Sequence, residues 1–156
     1  MQYLIDFSTN YYLVSAIGAW LIAQIIKIFT GIFKVQEFSL YAMFFGTGGM
    51  PSSHTAAVCS LATACGIGQG FGSVAFAIAG VLAMVVMIDA MGVRRETGRQ
   101  SRALNLIFKE LFSATSEEAD MHFKELIGHS PLQVLFGAIT GIATASLFQL
   151  IPVLVA

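Results

Sequence analysis

The sequence predicts an all-α, polytopic membrane protein: a bundle of about four transmembrane helices with one further helix at the membrane surface. Three observations support this prediction. The chain of 156 residues is 56% hydrophobic and only 11% charged, which is far from the composition of soluble domains. Its apolar residues are gathered into runs of about 20, the length that a helix needs to cross a bilayer. Most of its charged residues lie between those runs.

Four runs are assigned as spans of a single membrane domain that covers residues 1–156. The spans cover residues of about 11–33, 52–69, 71–91 and 132–155. The second run is short and rich in Ala, Ser, Thr and Gly, so we expect an inner helix that the other three cover. Its two cysteines, Cys59 and Cys65, are interpreted as small packing residues. No basic residue precedes the first run, so a cleaved signal peptide is not expected.

Small residues recur at helical spacing in and immediately after the second run, and in the fourth run. They are Gly66 with Gly70, and Gly137, Gly141 and Ala145. Small side chains let two helix backbones approach closely inside a membrane, so we expect close helix packing at these positions. The same small-residue faces are also compatible with a homo-oligomer.

A polar loop, residues 92–131, separates the third and fourth spans. Within it Leu104, Ile107, Phe108 and Leu111 fall on one face of a helix, and polar residues fall elsewhere. This pattern predicts a short helix that lies in the membrane interface.

The basic residues predict the orientation of the chain. With four spans, all eight fall on the same side of the membrane: Lys27, Lys34, Arg94, Arg95, Arg99, Arg102, Lys109 and Lys124. The positive-inside rule therefore predicts that both termini lie outside and that the basic side is cytoplasmic. The net charge of −1 argues against nucleic acid as a partner, because a duplex requires a large basic surface.

Two helix starts on the basic side have a similar composition. Residues 48–54 read GGMPSSH, and residues 128–133 read GHSPLQ. Proline suits the first turn of a helix, and serine hydroxyls accept hydrogen bonds from N–H groups of that turn. Ser130 and Gln133 stand at N-cap and N3 of the second start. A helix N-terminus favours anions, so both starts are candidate anion sites.

A polar stripe on the first span adds a third element. Gln24, Lys27, Gly31 and Lys34 are spaced three, four and three residues apart, which places them on one helix face. A lysine near a membrane end often extends its amine to the interface, and this alternative stays open for Lys34. Lys27 lies deeper, and an ionisable residue inside a membrane suggests a functional site.

These segments resemble the divergent branch of the type 2 phosphatidic acid phosphatase superfamily, which is related to acid phosphatases and vanadium-dependent haloperoxidases. The similarity extends over nearly the whole chain. Its motifs here are Lys27 to Lys34, PSSH at 51–54, the arginine pair at 94 and 95, and GHSPLQV at 128–134.

The resemblance implies roles for the first two motifs. The superfamily pattern of Lys followed by Arg-Pro corresponds to Lys27 and Lys34, which would contact phosphate. The pattern Pro-Ser-Gly-His corresponds to PSSH, where Ser52 and the loop amides would hold phosphate and His54 would protonate the leaving oxygen. Ser53 stands where the superfamily has glycine.

The third motif, Ser-Arg followed by His and then Asp, departs most from the superfamily pattern. The resemblance assigns His129 as the nucleophile that takes the phosphoryl group. Phe123 stands where the arginine is expected, so Arg94 or Arg95 would have to supply that charge. Gln133 replaces the carboxylate that holds the far nitrogen of the histidine.

Two residues of this third motif carry alternative interpretations. Gln133 is either the residue that orients His129 or only the N3 member of a capping box with Ser130. Asp89 could supply the missing negative charge, or it could form a salt bridge with a nearby basic residue. Two histidines can divide the work of nucleophile and acid without a metal, and no cofactor is expected.

Three functions remain open at this point. The first is a membrane phosphatase that hydrolyses a lipid phosphate or diphosphate through a phosphohistidine. The second is a non-catalytic membrane protein that binds anionic lipid headgroups at the same basic site. The third is a small oligomeric channel or transporter, which the short helices and glycine-rich faces suggest. The expected partners are membrane lipids, with a phosphorylated lipid as the substrate of the first.

Overall fold

The computed structural model describes residues 1, 3, 7–32, 49–112 and 129–155, and these ranges are helical with short connections. The helices are α1 Tyr11–Ile32, α2 Ser53–Gln69, α3 Val74–Met91, α4 Val93–Phe112, α5 Pro131–Phe148 and the short α6 Pro152–Val155. No strand occurs within the described ranges. The predicted all-α membrane bundle is confirmed.

Three stretches are long and apolar enough to cross a membrane. They are Tyr11–Thr30, Val74–Phe108, which continues from α3 into α4, and Pro131–Phe148. Helix α2, with 17 residues and a length of about 25 Å, is not among them, so its crossing of the bilayer stays a prediction. The fourth predicted span, residues of about 132–155, is not a single helix, because α5 ends at Phe148. Proline 152 begins α6 and lacks the N–H that a continuous helix requires.

Helix α2 lies at the centre of the bundle, where it packs against α1, α3 and α5. Ala56, Ser60 and Ala64 in α2 are completely buried. The expectation of an inner helix is therefore confirmed. Cys59 and Cys65 are buried free thiols in this helix, as expected of packing residues.

Glycines bring the backbones of α2 and α5 together. A Cβ at Gly137 would lie 2.5 Å from the carbonyl oxygen of Ser52, and one at Gly141 would collide with the carbonyl oxygen of Ala56. Close packing is confirmed at these two positions and at Ala145, which is fully buried. Gly70 is different: it is exposed, caps the end of α2 and has a φ of +88°, so it serves the turn rather than helix packing.

Two side-chain hydrogen bonds fasten α1 to the other helices. Ser60 Oγ donates to the carbonyl oxygen of Ser15 at 2.9 Å, and Tyr11 OH donates to the carbonyl oxygen of Ala145 at 2.8 Å. Both bonds are buried. Polar groups in a bilayer have no water to bond with, so such bonds fix the pairing of α1 with α2 and α5.

The contact between α2 and α5 predicts the effect of Gly141→Ala. The added methyl would press on the backbone of α2 at Ala56 and Ser60, which cannot move without shifting the helix. We expect the free energy of unfolding to fall by about 1–3 kcal/mol. Thermal unfolding of the purified protein in detergent measures this loss.

Gly80→Ala in α3 is the matched control. No heavy atom lies within 4 Å of the Cβ that it would add. Alanine is favoured over glycine in a helix interior, so this variant should unfold at the wild-type temperature or slightly above it. Equal midpoints for the two variants would contradict the packing described.

Candidate functional site

The start of α2 is held by Ser52, its N-cap residue. Ser52 Oγ accepts hydrogen bonds from Thr55 N at 3.4 Å and from Thr55 Oγ1 at 2.9 Å. The Ser52 N–H donates to the carbonyl oxygen of Gln133 at 3.0 Å. Ser52 is completely buried. Its N–H bond to Gln133 holds the start of α2 against the start of α5.

The start of α5 has the capping box predicted from its sequence. Ser130 Oγ accepts from Gln133 N at 3.4 Å, and Gln133 Oε1 accepts from Ser130 N at 2.8 Å. His129, immediately before the cap, donates its backbone N–H to the carbonyl oxygen of Ala90 at 3.1 Å. The end of α3 therefore lies beside the starts of α2 and α5.

Gln133 also reaches the ring of His129. Its Oε1 lies 3.3 Å from His129 Nδ1. Because Oε1 already accepts from Ser130 N and an amide oxygen has no hydrogen to donate, a hydrogen bond across this contact requires the hydrogen on Nδ1. Nε2 of the neutral ring then carries a lone pair, the form that a nucleophile requires. The two interpretations of Gln133 are thus compatible, because the same oxygen completes the capping box and contacts the ring.

The C-terminal part of α1 lies at the end of the bundle where α2 and α5 start. The side-chain stem of Lys27 packs on Gly49, where an added Cβ would lie 2.9 Å from Lys27 Cγ. Thr30 Oγ1 donates to the carbonyl oxygen of Met50 at 2.7 Å. The segment before α2 is therefore fastened to α1. Gln24, one turn before Lys27 on the predicted stripe, is buried.

The remaining candidate residues have different positions. Ser53 is the first residue of α2 and is buried, whereas His54 is exposed. Asp89 is half-buried and precedes Ala90, whose carbonyl accepts from His129.

Several predicted site residues lie partly or wholly outside the described residues. Arg94 and Arg95 belong to the first turn of α4, but their side chains are outside the described part of the chain. Lys34 and Phe123 lie entirely outside it. Their roles, and those of the other predicted site residues, stay predictions.

Two helix N-termini and a lysine at one end of a bundle form a favourable environment for an anion. Helices α2 and α5 each present the positive end of their dipole there, and Lys27, whose stem packs on Gly49, adds a basic side chain. His129 and His54 are the groups at these helix starts that can exchange protons or attack phosphorus. Within the described residues, no three His, Cys, Asp or Glu side chains are grouped as metal ligands.

Thr30 was not identified from the sequence, and Gly49 was identified only as one of the glycines of GGMPSSH and not as the contact of Lys27. Thr30 follows Lys27 by three residues, but threonines in helices commonly bond to their own backbone, as Thr30 also does with Lys27. Gly49 has a φ of +83°, a conformation that glycine tolerates. The run of glycines before Pro51 was the available signal for such a turn.

Comparison with known proteins identifies the family. Residues 8–144 match the family described as the Divergent PAP2 family, so the chain belongs to that family. The chain is also 36% identical over 144 residues to the uncharacterized membrane protein YuiD of Bacillus subtilis (strain 168). This match covers 86% of the chain and 90% of the relative. No solved structure matches the chain significantly.

The contact between Gln133 and His129 predicts the tautomer of the histidine. In protein labelled with ¹⁵N-histidine, NMR should show His129 protonated at Nδ1 and unprotonated at Nε2 near neutral pH. Gln133→Leu should remove this preference, because leucine offers no acceptor. Gln149→Leu, the same change at the other end of α5, should leave it intact. A wild-type His129 protonated at Nε2 alone would refute the assignment.

Proposed function

We propose that the protein is an integral membrane phosphatase that hydrolyses a lipid phosphate or diphosphate. The observation that carries the proposal is the orientation of His129 by Gln133 Oε1, at the point where the starts of α2 and α5 meet. A ring held with its hydrogen on Nδ1 suits nucleophilic attack through Nε2. Membership of the Divergent PAP2 family supports the reaction class.

The proposed reaction has two steps. His129 Nε2 attacks phosphorus, a P–N bond forms, and the bond from phosphorus to the lipid oxygen breaks while His54 donates a proton to that oxygen. Water, which gives a proton to His54, then attacks the phosphohistidine, the P–N bond breaks, and inorganic phosphate and neutral His129 are released. The developing charge on the phosphoryl oxygens is stabilised by Lys27 and the helix N-termini, and by Lys34 and an arginine at 94 or 95.

Binding of anionic lipid headgroups without catalysis is a second candidate. Two observations favour it. Gln133 supplies no negative charge to stabilise a cationic His129, and the N–H and Oγ of Ser52 are both engaged within the protein. A protein with this function would bind inorganic phosphate but would not release it from a lipid ester.

Gln133→Glu tests the proposed chemistry. A glutamate at N3 preserves the capping box with Ser130 and adds a charge next to His129 Nδ1. Two unit charges about 4 Å apart attract by roughly 4 kcal/mol at a partly shielded site, which corresponds to roughly two to three powers of ten in rate. We therefore expect Gln133→Glu to raise phosphate release from lipid phosphates in detergent, and Gln133→Ala to lower it, because the ring of His129 then loses the acceptor at Nδ1.

Three further variants make that experiment decisive. Gln149→Glu adds the same charge at the far end of α5 and should have no effect, and His129→Gln should abolish release. If Gln133→Glu does not raise release, Asp89→Asn separates the two explanations. Loss of activity in Asp89→Asn, restored by Gln133→Glu, would mean that Asp89 already supplies the charge. Activity that survives in His129→Gln would exclude His129 as the nucleophile.

The proposed site faces the cytoplasm, because all the basic residues lie at that end of the predicted spans. A cysteine at Ser101 in α4 should therefore resist an impermeant maleimide added to intact cells. Gly72→Cys is the matched control: it lies in the exposed turn between α2 and α3 on the opposite side and should react. Labelling of position 101 with protection of position 72 would reverse the orientation.

A further inference from the structure

Helix α4 begins where a membrane-spanning helix ends. Only Gly92 separates α3, which ends at Met91, from Val93 at the start of α4. Helix α3 is almost entirely apolar, whereas α4 carries all but one of the charged residues in the candidate stretch Val74–Phe108, so the part of that stretch that suits the bilayer core is α3. Since a span ends at the surface of the bilayer, α4 begins at that surface.

The apolar face of α4 is uncovered by the described helices. Val93, Leu104 and Ile107 lie on one face and are 65%, 43% and 50% exposed. Of the described helices, α3 is the one that α4 chiefly contacts. An exposed apolar face at the edge of a bilayer matches a helix that lies in the interface plane with its apolar side in lipid.

The same helix concentrates positive charge in a chain that is slightly negative overall. Residues 93–112 contain five basic residues and two acidic ones, a net charge of +3, whereas the whole chain carries −1. Arg99 Nη1 lies 3.4 Å from Glu96 Oε2, but both side chains are more than half exposed. Such an exposed pair contributes little to stability, and the net charge of +3 already includes Glu96.

The position of α4 after a membrane span and its net positive charge together indicate what binds its apolar face. We infer that α4 lies on the membrane and binds a surface of acidic phospholipids, with Leu104 and Ile107 in the acyl region. A helix is about 10 Å thick, so a cation on a helix that lies on the membrane is about one Debye length or less from the lipid phosphates. Each basic residue so placed favours binding roughly fivefold. This surface would gather anionic lipids at the end of the bundle where α4 begins.

Tryptophan quenching in lipid nanodiscs tests the inference independently of any enzymatic activity. The single native tryptophan, Trp20, is replaced by Phe, and a new tryptophan is placed at Leu104 in the full chain. Leu106→Trp is the matched control, because Leu106 is 59% exposed but lies on the opposite face. Nanodiscs contain brominated phosphatidylcholine, alone or mixed with brominated phosphatidylglycerol in equal parts.

We expect strong quenching at position 104 and severalfold weaker quenching at position 106. Phosphatidylglycerol should increase the quenching at 104, and high salt should remove that increase. Ile107→Trp replaces Leu104→Trp if the latter lowers the unfolding temperature. Equal quenching at 104 and 106 would overturn membrane binding by this face. Quenching at 104 that is the same with and without phosphatidylglycerol would overturn the preference for acidic lipids. A tryptophan at 104 that lipid does not quench would assign the face to a protein partner.

Discussion

The close contact between α2 and α5 is the constraint on which the rest of the structure depends. Gly137 and Gly141 allow the two backbones to touch, and the Ser52 N–H bonds to the carbonyl of Gln133 at the top of that contact. Membranes provide no hydrophobic drive for helix association, so backbone proximity and buried hydrogen bonds must supply it. The contact brings two helix N-termini together, and these define the candidate site.

His129 depends on that contact in a second way. The backbone carbonyl of Gln133 accepts the Ser52 N–H in the α2–α5 contact, and the side-chain oxygen of Gln133 contacts the ring of His129. The packing of the bundle is therefore linked directly to the tautomer of the proposed nucleophile. An amide orients the ring as a carboxylate would, but it does not stabilise the cation formed when the ring takes a phosphoryl group. Catalysis would depend on charge supplied by other residues.

Local signals in the sequence predicted much of this arrangement. The serine, proline and glutamine of GHSPLQ predicted the capping box of α5, and the poor hydrophobicity of α2 predicted its inner position. Contacts between distant segments could not be predicted, because no local pattern specifies them: Lys27 on Gly49, and His129 on Ala90. Gly70 was assigned to packing because spacing alone does not distinguish a helix-ending glycine from an interfacial one. The family resemblance, by contrast, was predicted correctly.

The most direct test of the account is detection of a phosphoryl group on His129 during turnover. Protein mixed with a lipid phosphate is quenched in base, where a phosphoramidate bond survives, and its peptides are analysed by mass spectrometry. The account predicts one acid-labile phosphoryl group on the peptide that contains His129, present in Gln133→Glu and absent in His129→Gln. Release of phosphate from the lipid without any phosphoryl group on His129 would contradict it.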